Sequence, residues 1–178
     1  MQFHPPYEGA SLAMSHHLLI IDDENDVLDV LEEIFTLRGH QVTRAGNAEE
    51  AFEKLKEFSP DLIISDYRMP GMDGVEFLGE VQKSLPDPPR ILLTAHGDMN
   101  VAIAAINEAN IYKFITKPWN NNDLLLTVQR ALEHYELICQ NRAFADTLEL
   151  MVDENTEEID RLRTALTKMA SQIRGLLP

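Results

Sequence analysis

From His17 onward, short unbroken apolar runs alternate with segments in which apolar residues recur every three or four positions. Leu18-Leu19-Ile20-Ile21 and Leu62-Ile63-Ile64 are runs of the first kind, and both end in acids. Such runs predict strands buried on both faces. Val27, Leu28, Leu31, Ile34, Phe35 and Leu37 follow helical spacing, and Gly39 is positioned to stop that helix. Gln41 to Ala45 reads as a second strand, and Asn47-Ala48-Glu49-Glu50 has the form of a capping box before a helix ended by Pro60. Asp73-Gly74-Val75-Glu76 predicts the start of a third helix. Arg90 to Thr94 predicts a fourth strand, Asn100 to Ala109 a small-residue helix, Tyr112 to Thr116 a fifth strand, and a last helix begins near Asn122.

Five rounds of strand then helix predict an α/β fold, a doubly wound five-stranded parallel sheet with helices on both faces and right-handed crossovers. The last helix continues past the length such a domain needs. Beyond Leu132 and Tyr135, apolar positions alternate in steps of three and four from Ile138 and Asn141 through Ala145, Leu148, Val152, Asn155, Ile159, Leu162, Leu166 and Met169 to Ile173. Gly175 and Pro178 then supply a stop signal. A narrow seam of this kind is a coiled-coil signal, and roughly 50 residues of helix reach about 75 Å. Asn141 and Asn155 within the seam would fix register and strand number. The plainer reading is a helix folded back on the globular domain or fraying in water. Residues 1–15 show no periodicity and contain Pro5, Pro6 and Gly9, so they are expected to lack fixed structure. The expected organisation is therefore an N-terminal extension over 1–15, a globular domain over 16–137 and a coiled-coil helix over 138–178.

Composition narrows the function. Thirty acids against 15 basic residues give a net charge of −15. That charge repels phosphate backbones and anionic lipid, which argues against direct nucleic-acid binding or a membrane role. Cys139 is the only cysteine, so no internal disulfide and no cysteine-based zinc site is available. No apolar run approaches a membrane span and no secretory signal opens the chain, so a cytoplasmic location is expected.

In a doubly wound sheet, ligands sit beyond the carboxyl ends of the strands. Those ends carry Asp22, Asp23 and Glu24 after the first strand, Asp66 after the third, Thr94 after the fourth and Lys117 after the fifth. Crowded carboxylates repel one another and raise their own proton affinity unless a cation neutralises them. A hard divalent cation such as Mg²⁺, bound by carboxylates, water and phosphate oxygens, meets that need. The donor set therefore suggests metal-assisted chemistry at a phosphoryl group, with a carboxylate as nucleophile. Acids at strand ends also cap the helices that follow, but Asp22, Asp23, Asp66, Thr94 and Lys117 at four such ends are more than capping requires. No glycine-rich phosphate loop and no G-x-S-x-G elbow occurs.

Ile20-Ile21-Asp22-Asp23-Glu24, Ser65-Asp66-Tyr67-Arg68-Met69-Pro70-Gly71-Met72-Asp73-Gly74, Leu93-Thr94-Ala95 and Thr116-Lys117-Pro118-Trp119 together resemble the receiver domain of two-component response regulators. The resemblance covers roughly His16 to Leu137. It implies a flavodoxin-like sheet in the order 2-1-3-4-5, an order the family supplies. It also implies that Asp66 accepts a phosphoryl group from a phosphohistidine on a sensor histidine kinase or phosphotransfer protein. Asp23 is then the main Mg²⁺ ligand, with Asp22 assisting, and Asp66 and the Arg68 backbone carbonyl complete the set. Lys117 pairs with Asp66, Thr94 turns toward the incoming phosphoryl group, and Phe114 is the aromatic switch. The Lys117–Pro118 bond is expected to be cis. Phe114 also has a plainer reading as core. Arg68 and His96, each two residues beyond a site residue, depart from the commonest pattern and border the route of a hydrolytic water.

The resemblance implies a signalling phosphoacceptor, not an enzyme acting on external substrates. Its output is expected to pass through the C-terminal helix to a partner or further domain, and a homodimer through the coiled coil is expected. The alternative is a coiled-coil adaptor whose receiver takes no phosphate. A phosphatase of the haloacid dehalogenase type needs a second acid where Arg68 stands, and a flavin phosphate would be repelled by the acidic strand ends.

Overall fold

The computed structural model describes residues 15–95 and 110–174. The predicted helix over Asn100 to Ala109, His96, the residues before Ser15 and the stop signal from Gly175 onward lie outside the described residues. Five parallel strands form one sheet: β1 (His17–Ile21), β2 (Gln41–Ala45), β3 (Leu62–Asp66), β4 (Arg90–Ala95) and β5 (Lys113–Lys117). Their order is β2-β1-β3-β4-β5, as the resemblance implies. The described helices are α1 (Asn25–Thr36), α2 (Ala48–Leu55), α3 (Gly74–Ser84) and α4 (Asn121–Arg174).

Side-chain alternation along each strand feeds two separate cores. Leu18, Ile20, Leu62, Ile64, Ile91 and Leu93 face α1 and the first turns of α4. Leu19, Ile21, Ile63 and Leu92 face α2 and α3. β1, β3 and β4 are buried at successive positions because both faces of the sheet are covered there. Each fully buried Leu or Ile contributes about 1.5–3 kcal/mol.

The local signals explain where elements end. Gly39 adopts φ +86°, and the N–H groups of Gly39 and His40 donate to the carbonyls of Thr36 (2.9 Å) and Phe35 (3.2 Å). These are the two bonds of a Schellman stop. The Asn47 side chain accepts from Glu50 N–H at 2.9 Å, while the Glu50 carboxylate reaches back to Gly46 N–H at 2.8 Å. The capping box is thus present, closed one residue earlier than in its usual form. α2 ends at Leu55, short of the expected stop at Pro60, because Lys56 and Glu57 donate to carbonyls three residues back and tighten the last turn. Asn110, before β5, has φ +46°, a conformation asparagine tolerates.

Arg90 is 2% exposed. Its guanidinium donates to the carbonyls of Leu85 (3.1 Å), Pro86 (3.3 Å), Pro88 (3.1 Å) and Asn110 (3.2 Å). The proline-rich loop before β4 and the turn before β5 are therefore tied at one cation, whose pKa burial lowers. Read from the sequence, Arg90 is simply the first residue of a strand.

Contacts divide the chain into two units, one ending at Tyr135 and the other beginning at Glu136. In the first, Leu124, Val128, Ala131 and Leu132 of α4 are buried against the sheet. In the second, the tail exposes apolar side chains throughout, among them Leu148, Val152, Ile159, Leu162, Leu166 and Met169. Among the described residues no helix is long and apolar enough to cross a membrane.

Replacing Arg90 with Met keeps the bulk but strands buried carbonyls. The variant should lose about 2–4 kcal/mol in urea unfolding, seen as a lower midpoint at unchanged slope. A midpoint equal to the wild type's would show that the clamp contributes nothing.

Candidate functional site

All five strands run the same way, so their carboxyl ends form one edge. Asp22 follows β1 and is fully buried, Asp66 closes β3 at 6% exposure, and Thr94 near the end of β4 is fully buried. Lys117 closes β5 and is aligned with Ala95, as Thr94 is with Thr116. β4 stands between β3 and β5, so only a long side chain from β5 reaches the acids.

Lys117 makes that crossing. Its Nζ lies 2.6 Å from Asp66 Oδ1, 2.7 Å from Asp22 Oδ2 and 3.7 Å from Glu24 Oε1. The second oxygen of each buried carboxylate is held by backbone. Arg68 N–H donates to Asp66 Oδ2 at 2.7 Å, and Glu24 N–H donates to Asp22 Oδ1 at 2.9 Å. The Lys117–Pro118 bond is cis, as expected.

Burial and charge compete at these groups. Burial lifts the Asp22 pKa above its ordinary value, and the hydrogen bond from Lys117 only partly holds it down. For Lys117, burial alone would lower the pKa, but the hydrogen bonds to Asp22 and Asp66 outweigh it and the net shift is upward. The ammonium is thus held charged against two carboxylates in a poorly hydrated setting.

Backbone packing places Asp66 as tightly as the charges do. Tyr67 N–H donates to Leu93 O at 2.8 Å, Gly74 N–H to Tyr67 O at 2.9 Å, and the Ser65 hydroxyl to Asp66 O at 3.0 Å. A Cβ on Gly74 would stand 1.9 Å from Asp66 O, so the N-terminus of α3 can approach β3 only with glycine there. Asp73 caps the same helix, its Oδ1 accepting from Val75 and Glu76 N–H at 2.9 Å each.

The structure brings Asp22, Asp66 and Lys117 together. Asp23 is adjacent in sequence but exposed, and the Arg68 side chain is exposed as well. The Thr94 hydroxyl donates to Ala95 O at 3.3 Å. Phe114 is half-buried and packs against the core on the α2–α3 side. Glu24 joins the lysine, a contact the sequence reading did not foresee. Trp119 is half-buried against the opposite core and donates to Asn121 Oδ1 at 3.1 Å. A groove of about 580 Å³ along β5 and the start of α4, bordered by Tyr112, Phe114, Trp119, Leu126 and Arg130, lies apart from Asp22 and Asp66.

Asp22, Asp23 and Asp66 offer hard oxygen donors of the kind Mg²⁺ takes, and the exposed Asp23 leaves room for bound water. Among the described residues no three His, Cys, Asp or Glu side chains are gathered so as to hold a metal ion. An ion that keeps several waters and uses one or two carboxylates needs no such gathering. The donor set fits Mg²⁺.

The family model described as the response regulator receiver domain matches residues 18–129. The C4-dicarboxylate transport transcriptional regulatory protein DctD of Rhizobium meliloti is 34% identical over 158 residues, covering 86% of this chain and 34% of its own length. A match of that extent takes in part of the tail helix as well as the sheet domain. The DNA-binding transcriptional regulator NtrC of Escherichia coli is 33% identical over 117 residues, 66% of this chain and 25% of its own. The chain therefore spans between a quarter and a third of the length of these relatives. Among solved structures, the signal receiver domain of an HD domain-containing protein from Pseudomonas fluorescens aligns with TM-score 0.66 and 32% identity, over 69% of this chain and 98% of that one.

Two substitutions probe the edge. Lys117→Met leaves two buried carboxylates without their cation and should cost about 2–4 kcal/mol at pH 7 in metal-free buffer. Without the ammonium the Asp22 pKa rises further, so the deficit should shrink as pH falls and Asp22 takes up a proton. A deficit unchanged between pH 7 and pH 5 would contradict the pairing. Gly74→Ala should destabilise by about 1–3 kcal/mol through overpacking against Asp66 O. It should also shift the Asp66 and Tyr67 amide resonances, and unshifted amides would show that the close approach is dispensable.

Proposed function

The chain belongs to the receiver-domain family of two-component response regulators, and from that premise we propose that it is a working phosphoacceptor with Asp66 as the acceptor. The observation that carries this reading is the Asp66 carboxylate, nearly buried yet ionically paired at 2.6 Å with Lys117 at the strand-end edge. A structural aspartate with no other task would not need a lysine drawn across a neighbouring strand.

In the proposed reaction an Asp66 carboxylate oxygen attacks the phosphorus of a phosphohistidine on a partner kinase or phosphotransfer protein. The P–O bond forms as the P–N bond breaks, and the departing imidazole keeps the electron pair and takes a proton. Lys117 balances charge on the acceptor before transfer and on the phosphoryl oxygens after it. Thr94, its hydroxyl resting on Ala95 O, rotates to donate to the new oxygens. Phe114 changes packing as Thr94 moves. Asp22, Asp23, Asp66 and the Arg68 backbone carbonyl would hold Mg²⁺, which when bound neutralises charge at the transferring phosphoryl group.

Phosphorylation adds about −1.5 to −2 of charge at this edge. We propose that residues 16–137 act as the receiver, and that the helix over 138–178 makes the chain a homodimer and carries the change to a partner or a further domain. The relatives' greater length and their naming as transcriptional regulators support an output beyond the receiver. The chemistry requires no external substrate other than the phosphodonor.

Intact mass after incubation with Mg²⁺ and acetyl phosphate tests the proposal. The wild type should gain one phosphoryl group and Asp66→Asn none. No adduct on a wild type that binds Mg²⁺ would overturn it and favour the adaptor reading. An equal adduct on Asp66→Asn would move the acceptor elsewhere.

A further inference from the structure

Three of the protein's six histidines, His16, His17 and His40, gather where β1 and β2 begin, at the edge of the sheet opposite the acidic one. Their partners set them apart. His17 Nε2 lies 2.7 Å from the Thr43 hydroxyl, and its ring stacks on Phe58 at 4.1 Å. A hydroxyl both donates and accepts, so His17 keeps that partner in either protonation state. His40 has no such freedom. Its Nδ1 accepts the His16 backbone N–H at 3.4 Å, and the two rings lie 5.5 Å apart. A backbone N–H only donates, so this bond requires an Nδ1 without a proton.

His40 also sits where three elements meet. Its own N–H donates to Phe35 O at 3.2 Å and closes α1. The next residue, Gln41, donates its N–H to His16 O at 2.8 Å, the rung at the start of the β1–β2 pair. His40 and Gln41 therefore grip His16 by both of its backbone groups. On the other side of β1, His17 N–H donates to Asp61 Oδ2 and Asp61 N–H to His17 O, at 2.8 Å each. The His40 bond is the longest of these ties, and it is the one that a proton abolishes.

We propose that His40 is a proton-operated latch: neutral, it grips the entry to β1, and protonated, it releases the His16 N–H and loosens the first rung of the β1–β2 pair. A protonated Nδ1 would face that N–H as donor against donor. The added charge would also stand beside the His16 ring. The latch uses none of the groups at the Asp66 edge.

The electrostatics agree with this geometry. Burial lowers the His40 pKa, His16 lowers it further, and Asp61 opposes both. These two neighbours, one before β1 and one before β3, are the titratable groups acting on His40 from the elements packed around it. With the folded-state pKa below the ordinary 6.5, the opened edge takes the proton more readily than the closed one. The stabilisation from His40 is therefore complete above pH 6.5 and is lost as pH falls below it.

Nitrogen-detected imidazole spectra and amide exchange of the full chain, from pH 7.5 to pH 5.5, test the latch. At pH 7.5 the His40 Nδ1 should resonate as a bare acceptor. On acidification the His16 and Gln41 amide resonances should move with the midpoint of the His40 ring. The Gln41 protection factor should fall roughly fivefold, the weight of one hydrogen bond. That of Ile63, whose N–H donates to Pro89 O at 3.0 Å, should hold. His40→Asn supplies an acceptor that does not titrate and should keep Gln41 protected throughout. The His40 midpoint should fall in Asp61→Asn and rise in His16→Gln. A protonated Nδ1 at pH 7.5, or Gln41 protection constant through the His40 titration, overturns the proposal. So does a loss of protection that persists in His40→Asn, or a midpoint that moves the wrong way in either neighbour variant. No readout involves phosphate, so the latch stands or falls apart from the Asp66 reaction.

Discussion

One ammonium shared by two buried carboxylates governs the architecture of the strand-end edge. Asp22 has no exposed surface, Asp66 almost none, and Lys117 reaches both across the end of β4 at hydrogen-bond distance. Leaving either carboxylate charged and unpaired at this depth would cost several kcal/mol. With Asp22 and Asp66 ionised and Lys117 protonated, the trio still carries net negative charge, and Asp23 and Glu24 add to it. The same interaction that makes the fold tolerable therefore leaves a demand for more positive charge. That residual demand is what a site for a cation and a phosphoryl group requires.

The fold exists around this edge in a definite sense. A parallel sheet sends all its carboxyl ends one way, so residues scattered over almost a hundred positions in sequence become neighbours. The cores on the two faces fix the strands, and the Gly74 approach leaves no room for a methyl group beside the Asp66 carbonyl. Arg90 performs the corresponding task with its own clamp on the Leu85–Pro88 loop and Asn110. Reactive groups and rigid supports are thereby separated: the acids and the lysine carry charge, and the backbone contacts set their positions.

Much of this was legible in the sequence. Continuous apolar runs ending in acids marked β1 and β3, whose shortness and following turn signals read as strands buried on both faces. Gly39, Asn47 and Asp73 announced helix ends because each supplies a specific hydrogen bond or dihedral angle. The motif residues placed Asp66 beside Lys117 correctly. Less legible were contacts made through space by side chains with no local signature. Arg90 looked like any strand residue, Glu24 like one more strand-end acid with no partner named, and Asp22 like an accessory when it is the more deeply buried partner of the lysine. The end of α2 at Leu55 was missed because a tightened turn carries no sequence mark comparable to proline. In the tail, the heptad spacing was visible in the sequence at once.

The most direct measurement is the ¹⁵Nζ resonance of Lys117, followed with Mg²⁺ present before and after addition of a small phosphodonor. If Lys117 is the shared cation of a phosphoacceptor, its signal should move when the donor is added and return as the donor is exhausted. It should stay fixed throughout in Asp66→Asn. A Lys117 resonance that does not respond in the wild type would contradict the role assigned to this edge.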